Sequence, residues 1–231
     1  MEIILYDRFY NWEIMAGSYL VKNSNWSQAF LQGKFSFNLK GLADYEYRLP
    51  ESFHGSDNGA LHAYLAEWIL PKNNVELPVC LRLYNNSKGF SDLFLYEACI
   101  RNALGNNTTF GKIKILPKGR GWVRDNWITN SKWCEELDFM IHNWKTQQLR
   151  TYFIVPLPLS AKSTSEWYNP IAGHLELRLC RPGNKSWRYD PNLIATREEI
   201  DGRLQEFSRD VDIERQRFSL QLKHYSGNLS K

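Results

Sequence analysis

The sequence predicts an α+β fold: a β-rich antiparallel sheet or sandwich core with two or three helices, including a long C-terminal amphipathic helix. Three observations lead there. Several short segments alternate apolar and polar residues with period 2, which turns one face of a strand to a core and the other to water. Clusters of Pro, Gly and Asn separate these segments, as turns require. The end of the chain instead carries apolar residues at helical spacing.

Taken in order, residues 3–6 (Ile-Ile-Leu-Tyr) read as a short strand, followed by an aromatic stretch through Tyr10 and Trp12. Residues 34–39 alternate as Lys-Phe-Ser-Phe-Asn-Leu. Residues 60–70 and 79–84 are expected as two further strands, with a turn at Pro71, Lys72, Asn73 and Asn74 between them. Residues 91–104 read as a helix capped by Ser91 and stopped by Gly105; a strand is the alternative, because apolar residues are dense on both faces. Residues 112–116 alternate again until Pro117, and a loop with Gly119 and Gly121 around Arg120 follows. Residues 130–149 are expected as a helix, since Trp133, Leu137, Ile141 and Trp144 fall on one side at helical spacing. Residues 151–159 form an apolar strand ended by Pro156 and Pro158, and residues 175–179 alternate as Leu-Glu-Leu-Arg-Leu.

The terminal helix, residues 196–225, has the strongest pattern. Thr196 followed by Glu199 is a capping box, in which each side chain satisfies a backbone N–H that the first turn leaves orphaned. Ile200, Leu204, Phe207, Val211 and Phe218 form a narrow apolar stripe, and the charged residues Arg203, Glu206, Arg209, Asp210, Glu214, Arg215 and Arg217 occupy the other faces. At about 1.5 Å per residue the helix is about 45 Å long. A domain of this size has a radius of gyration of about 17 Å, so the helix fits across its own domain. Burial of each large apolar side chain stabilises by about 1.5–3 kcal/mol, so the stripe is expected to be covered by the sheet. No repeat or linker divides the chain, and one domain over 1–231 is expected, with a β-rich core over 1–192.

Composition limits the function classes. A length of 231 residues allows a sizeable core, although the 43% apolar share is slightly below the usual one; twelve Tyr and twelve Phe accompany nine Trp, and the Trp exceed what one core of this size requires. The net charge of +4 is too mild for a protein that coats nucleic acid along its whole surface. The opening residues lack the basic and apolar regions of a secretory signal, and no apolar run approaches the roughly 18 residues of a membrane span. The four cysteines, Cys80, Cys99, Cys134 and Cys180, form no close pair; three lie in apolar runs, as reduced structural cysteines do. A cytoplasmic location is expected on that ground, with no membrane partner. Sequons stand at Asn25, Asn85, Asn106, Asn107, Asn184 and Asn228, but such matches arise by chance in an Asn- and Ser-rich chain.

Three groups of residues carry candidate chemistry. Residues 112–133 interleave Lys112, Lys114, Lys118, Arg120 and Arg124 with Trp122, Trp127 and Trp133, the combination that neutralises phosphates while stacking on bases of a single strand. Asp125, Glu135 and Glu136 dilute that charge. His54, Ser56 and Asp57, with His62 following, crowd one Gly- and Asn-rich loop; triads are assembled from residues distant in sequence, so turn formation explains the loop adequately. His174 and Glu176 share one face of an alternating strand, where a solvent-side polar pair is the ordinary outcome. His142 and His224 read as helix-face residues. Walker A, G-x-G-x-x-G, G-x-S-x-G and H-E-x-x-H patterns do not occur.

The expected function is therefore that of a non-catalytic protein-interaction or assembly protein acting through an aromatic-rich surface. Its interface residues would be Trp133, Trp144, Arg209 and Arg217, and its partner another protein or a second copy. The alternative is a single-stranded RNA- or DNA-binding module, a ribonucleoprotein subunit for instance. It would use Lys112, Lys114, Lys118, Arg120, Trp122, Arg124 and Trp127. No catalytic residue, metal or cofactor is expected.

Overall fold

The computed structural model describes residues 1–9, 11–32, 41–46, 49–150, 156–159, 161, 166–172 and 188–227. The strands expected at 34–39 and 175–179, most of the one at 151–159, and His174, Glu176 and Cys180 lie outside the described residues. The fold is α+β and ends in a long helix, but helices rather than strands make up most of its regular structure. It divides into two compact units, Met1–Gly121 with Val211–Lys231, and residues 122–210.

In the first unit, β1 (Ile3–Tyr6) and β4 (Ile113–Leu116) pair in parallel, with Ile3 opposite Ile113 and Tyr6 opposite Leu116. The short strands β2 (Leu20–Val21) and β3 (Thr109–Phe110) flank them antiparallel, giving the order β2-β1-β4-β3. Period 2 acts as the sequence predicts on β4, where Ile113 and Ile115 turn into a core that also takes Ile3 and Leu5 of β1. A parallel pair requires a long crossover. Here it contains α1 (Asn25–Gln32), α2 (Leu42–Glu46), α3 (Asp57–Ile69), α4 (Leu77–Asn85) and α5 (Phe90–Leu104).

Two of these helices occupy segments expected as strands. Residues 60–70 lie almost wholly in α3, and residues 79–84 in α4. The reason is burial. Every residue of α3 from Gly59 to Ala66 is buried, so the helix has no polar face over those turns and displays no 3.6-residue alternation. The helix expected at 91–104 is present as α5, but Gly89 rather than Ser91 precedes its first turn.

Helices α4 and α5 are joined by a disulfide between Cys80 and Cys99, which corrects the expectation of reduced thiols at both positions. Apolar surroundings suit a free thiol and a disulfide equally, so the sequence could not separate them. Beside the disulfide, Tyr84 and Tyr96 stack with ring centroids 4.3 Å apart. Their hydroxyls donate to the carbonyls of His54 and Gly59, which seats the loop before α3 on the core. A side chain on Gly59 would run into the Tyr84 ring and the His54 carbonyl, so this position is confined to glycine.

The second unit contains a two-stranded parallel sheet, β5 (Val123–Asp125) with β6 (Met140–His142). A 3₁₀ turn, Asn126–Thr129, follows β5. The helix expected at 130–149 does not form. Asn130 and Ser131 adopt left-handed backbone angles, φ 48° and 67°, and Asn143 does so again at 80°. Asn and Ser tolerate such angles because their short side chains bond nearby backbone groups, and each break ends any helical run. The spacing of Trp133, Leu137, Ile141 and Trp144 was coincidental.

Helix α6 (Arg197–Gly227) forms as expected, with residues in both units. The capping box is complete: the Thr196 N–H donates to Glu199 Oε2 at 2.8 Å, and the Glu199 N–H to Thr196 Oγ1 at 3.2 Å. The stripe is covered in part, and by residues outside the strands rather than by the sheet as expected. Ile200 and Val211 are buried, Leu204 packs beside Cys134 and Ala195, and Phe218 meets the edge of Trp12 at 5.3 Å. No helix among the described residues is long and apolar enough to cross a membrane.

Candidate functional site

Three consecutive polar residues, Arg124, Asp125 and Asn126, are buried in the second unit. Each would cost free energy there without a partner. Arg124 directs its whole guanidinium inward. Nε and Nη2 donate to the two carboxylate oxygens of Asp138 at 2.5 and 2.6 Å, Nη1 to Thr129 Oγ1 at 2.6 Å, and Nη2 to the Lys132 carbonyl at 2.7 Å. Asp138 Oδ2 also accepts the Cys134 N–H at 2.9 Å. One cation thus gathers the irregular segment from Thr129 to Asp138 around β5.

The register of the two parallel strands sets Asp125 opposite His142. The His142 Nδ1–H donates to Asp125 Oδ1 at 2.9 Å; the carboxylate is 2% exposed and the imidazole 39%. A buried carboxylate at Nδ1 selects the tautomer of the imidazole. Trp127 meets the imidazole edge-on at 6.2 Å. Both side-chain amide atoms of Asn126 are buried with no hydrogen-bond partner among the described residues. Among the described residues no group of three or more His, Cys, Asp and Glu is placed to hold a metal ion.

The segment that contains β6 presents apolar side chains to solvent. Phe139 is 81% exposed, Met140 45% and Trp144 39%. Trp144 lies parallel to Trp167 at 5.6 Å, and the Trp167 indole donates to the Lys145 carbonyl at 2.6 Å, so the pair is held in place. Elsewhere in the same unit, a cavity of about 440 Å³ is lined by Trp133, Tyr189 and Ile194 together with Glu135, Glu136 and Arg197. Trp133 and Tyr189 form its aromatic wall, edge to face at 4.7 Å.

The residues singled out in the sequence are dispersed. Lys112, Lys114, Lys118 and Arg120 belong to the first unit; Trp122, Arg124 and Trp127 belong to the second. Lys118 is turned inward, where Nζ donates to the carbonyls of Arg8, Phe9 and Asn11 and lies 5.7 Å from the Trp12 ring. Lys112 lies over the Trp26 ring at 5.4 Å, and Arg120 is exposed. Of the interface candidates, Trp133 lines the cavity, Trp144 is exposed beside β6, and Arg209 and Arg217 lie exposed on α6.

The loop before α3 is no triad. His54 Nδ1 accepts the Ser56 N–H at 3.0 Å, and Asp57 accepts the Asn58 N–H at 3.0 Å, both as local turn bonds. His62 faces the core. Its Nδ1–H donates to the Asn58 carbonyl at 2.7 Å and its bare Nε2 accepts the Ile14 N–H at 3.0 Å, so both ring nitrogens serve the fold. Asp125, Asn126 and His142 were not candidates in the sequence. Only the pairing of two three-residue strands brings them together, and strands so short leave no period to read.

No curated protein and no solved structure matches the chain. A family model does match, over residues 1–157, which covers most of the first unit and the whole Asp125–His142 arrangement. The chain belongs to that family, described as protein of unknown function, DUF273.

Proposed function

We propose that this chain is a non-catalytic protein-interaction or assembly protein that works through the aromatic surface of its second unit. The observation that supports this is the exposure of Phe139, Met140 and Trp144, on a segment anchored by the Arg124–Asp138 and Asp125–His142 pairs. Large apolar side chains left exposed on an anchored segment mark interaction sites, because covering them removes apolar surface from water. The Trp133–Tyr189 cavity provides a second place for an apolar anchor.

The test compares the chain with a Phe139→Ser/Trp144→Ser variant by light scattering over a concentration series and by co-purification from its source cells. Self-association, or one defined protein partner, is expected for the parent and is weakened at least tenfold in the variant. A parent chain that stays monomeric and co-purifies with no protein overturns the reading.

The alternative of a single-stranded nucleic-acid module over residues 112–133 draws less support. Lys118 and Arg124 commit their donors to carbonyls and to Asp138, and a cation so engaged does not release counterions from a phosphate chain. That module would have to act through Lys112, Lys114 and Arg120. RNA affinity that falls steeply with salt, and less steeply in Lys112→Ala/Arg120→Ala, would favour it.

A further inference from the structure

The Cys80–Cys99 disulfide and the sequons bear on one another. Disulfides form and persist in oxidising compartments, which in cells with a secretory pathway also transfer oligosaccharides to asparagine. The sequence contains 19 Asn and 24 Ser or Thr in 231 residues, which gives about two N-x-S/T matches by chance; six are present, more than the chance origin first expected of them accounts for.

The described sequons differ in their geometry. At Asn25 the acceptor hydroxyl belongs to Ser27, which is buried in α1 and bonded to Glu2. At Asn85 it belongs to Ser87, buried after α4 and donating to the Leu83 carbonyl at 3.0 Å. The overlapping sequons Asn106-Asn107-Thr108 and Asn107-Thr108-Thr109 lie instead in the turn between α5 and β3. Gly105, at φ +73°, stops the helix there, and all residues from 105 to 109 are exposed. The helix that ends in this turn is the one that holds Cys99.

We propose that the turn at Asn106–Asn107 is an N-glycosylation site and that the protein matures in an oxidising compartment. The co-substrate is an oligosaccharide linked to a polyprenyl pyrophosphate. The side-chain amide nitrogen attacks its anomeric carbon; the N–C bond forms as the C–O bond to pyrophosphate breaks. The polyprenyl pyrophosphate leaves with that electron pair, and the amide gives one proton to solvent. The exposed turn leaves room for the glycan in the folded protein.

The test uses the natural full-length protein isolated from its own cells. It is digested without reduction and treated with peptide N-glycosidase in ¹⁸O water, which converts a glycosylated Asn to ¹⁸O-labelled Asp. The expected result is the label at position 106 or 107, together with a peptide linked through Cys80 and Cys99. Unlabelled Asn at both positions overturns the proposal, whether or not the disulfide is found. As a second measurement, Asn106→Gln/Asn107→Gln expressed in the same cells should migrate faster than the parent by one glycan, with unchanged helical content. Equal migration overturns it as well.

Discussion

Arg124 and Asp138 meet in a two-point ion pair with both side chains almost out of water, 7% and 5% exposed. The pair closes a stretch of chain that has hardly any regular structure of its own. Removing one partner leaves a buried charge uncompensated, at a cost of about 3–5 kcal/mol, whereas replacing both with apolar residues of similar volume is far milder. Arg124→Met is therefore expected to destabilise by that amount. Arg124→Met/Asp138→Leu should recover at least half of it, read by urea denaturation. Equal losses in the single and double variants would assign the cost to packing instead.

His62 makes folding sensitive to acid. Burial pushes its imidazole down to about 4, because a charge there would be desolvated and would lose the Ile14 N–H bond to Nε2. The folded value lies below the unfolded one, so the unfolded chain takes up the proton first. The contribution is complete above about pH 6.5 and disappears as pH falls towards 4. At about 1.4 kcal/mol per decade of pH it amounts to roughly 3 kcal/mol. Denaturation midpoints measured from pH 7 to pH 4 should fall accordingly, and His62→Gln should flatten that slope.

Glu97 acts in the opposite sense. It is fully buried on α5, neither carboxyl oxygen has a partner, and burial followed by the nearby Glu13 carboxylate holds its carboxyl well above the usual range, with Arg8 opposing them. The folded protein holds its proton to a higher pH than the unfolded chain does. Stability from this group is complete below about 4.5 and lost as pH rises from there. Glu97→Gln should raise the thermal midpoint at pH 7 and leave it unchanged at pH 4. A lower midpoint at pH 7 would show that the carboxyl has an ionised role.

Lys118 separates fold from nucleic-acid binding. Burial draws its amine down to about 8, although Asp7 and Asp212 pull the other way. The unfolded chain stays charged until about 10.5, so stability should climb between pH 8 and 10.5. Lys118→Met strips a donor from three carbonyls and should cost about 1–3 kcal/mol at pH 7 while abolishing that climb. RNA affinity, where any is measured, should be unaffected.

Sequence and structure agree where local rules suffice. The short strand β1, the alternation in β4, the stop at Gly105 and the Thr196–Glu199 box are each settled within a few residues, and each is found as expected. They diverge where burial or long-range pairing decides. Helix α3 resembles a strand because it is enclosed on all sides over residues 59–66, and the stretch after Asn130 resembles a helix until left-handed angles break it. The Asp125–His142 pair depends on a parallel register between segments 17 residues apart, which no local pattern encodes.

The disulfide between Cys80 and Cys99 closes a span of 19 residues and contributes about 3 kcal/mol by restricting the unfolded chain. It also makes the two cysteines one heritable unit. A lineage that loses either inherits a lone buried thiol, prone to mispairing while the chain folds, with no share of the stabilisation. Family members should accordingly keep both cysteines or neither, and those without them should compensate by tighter apolar packing between α4 and α5.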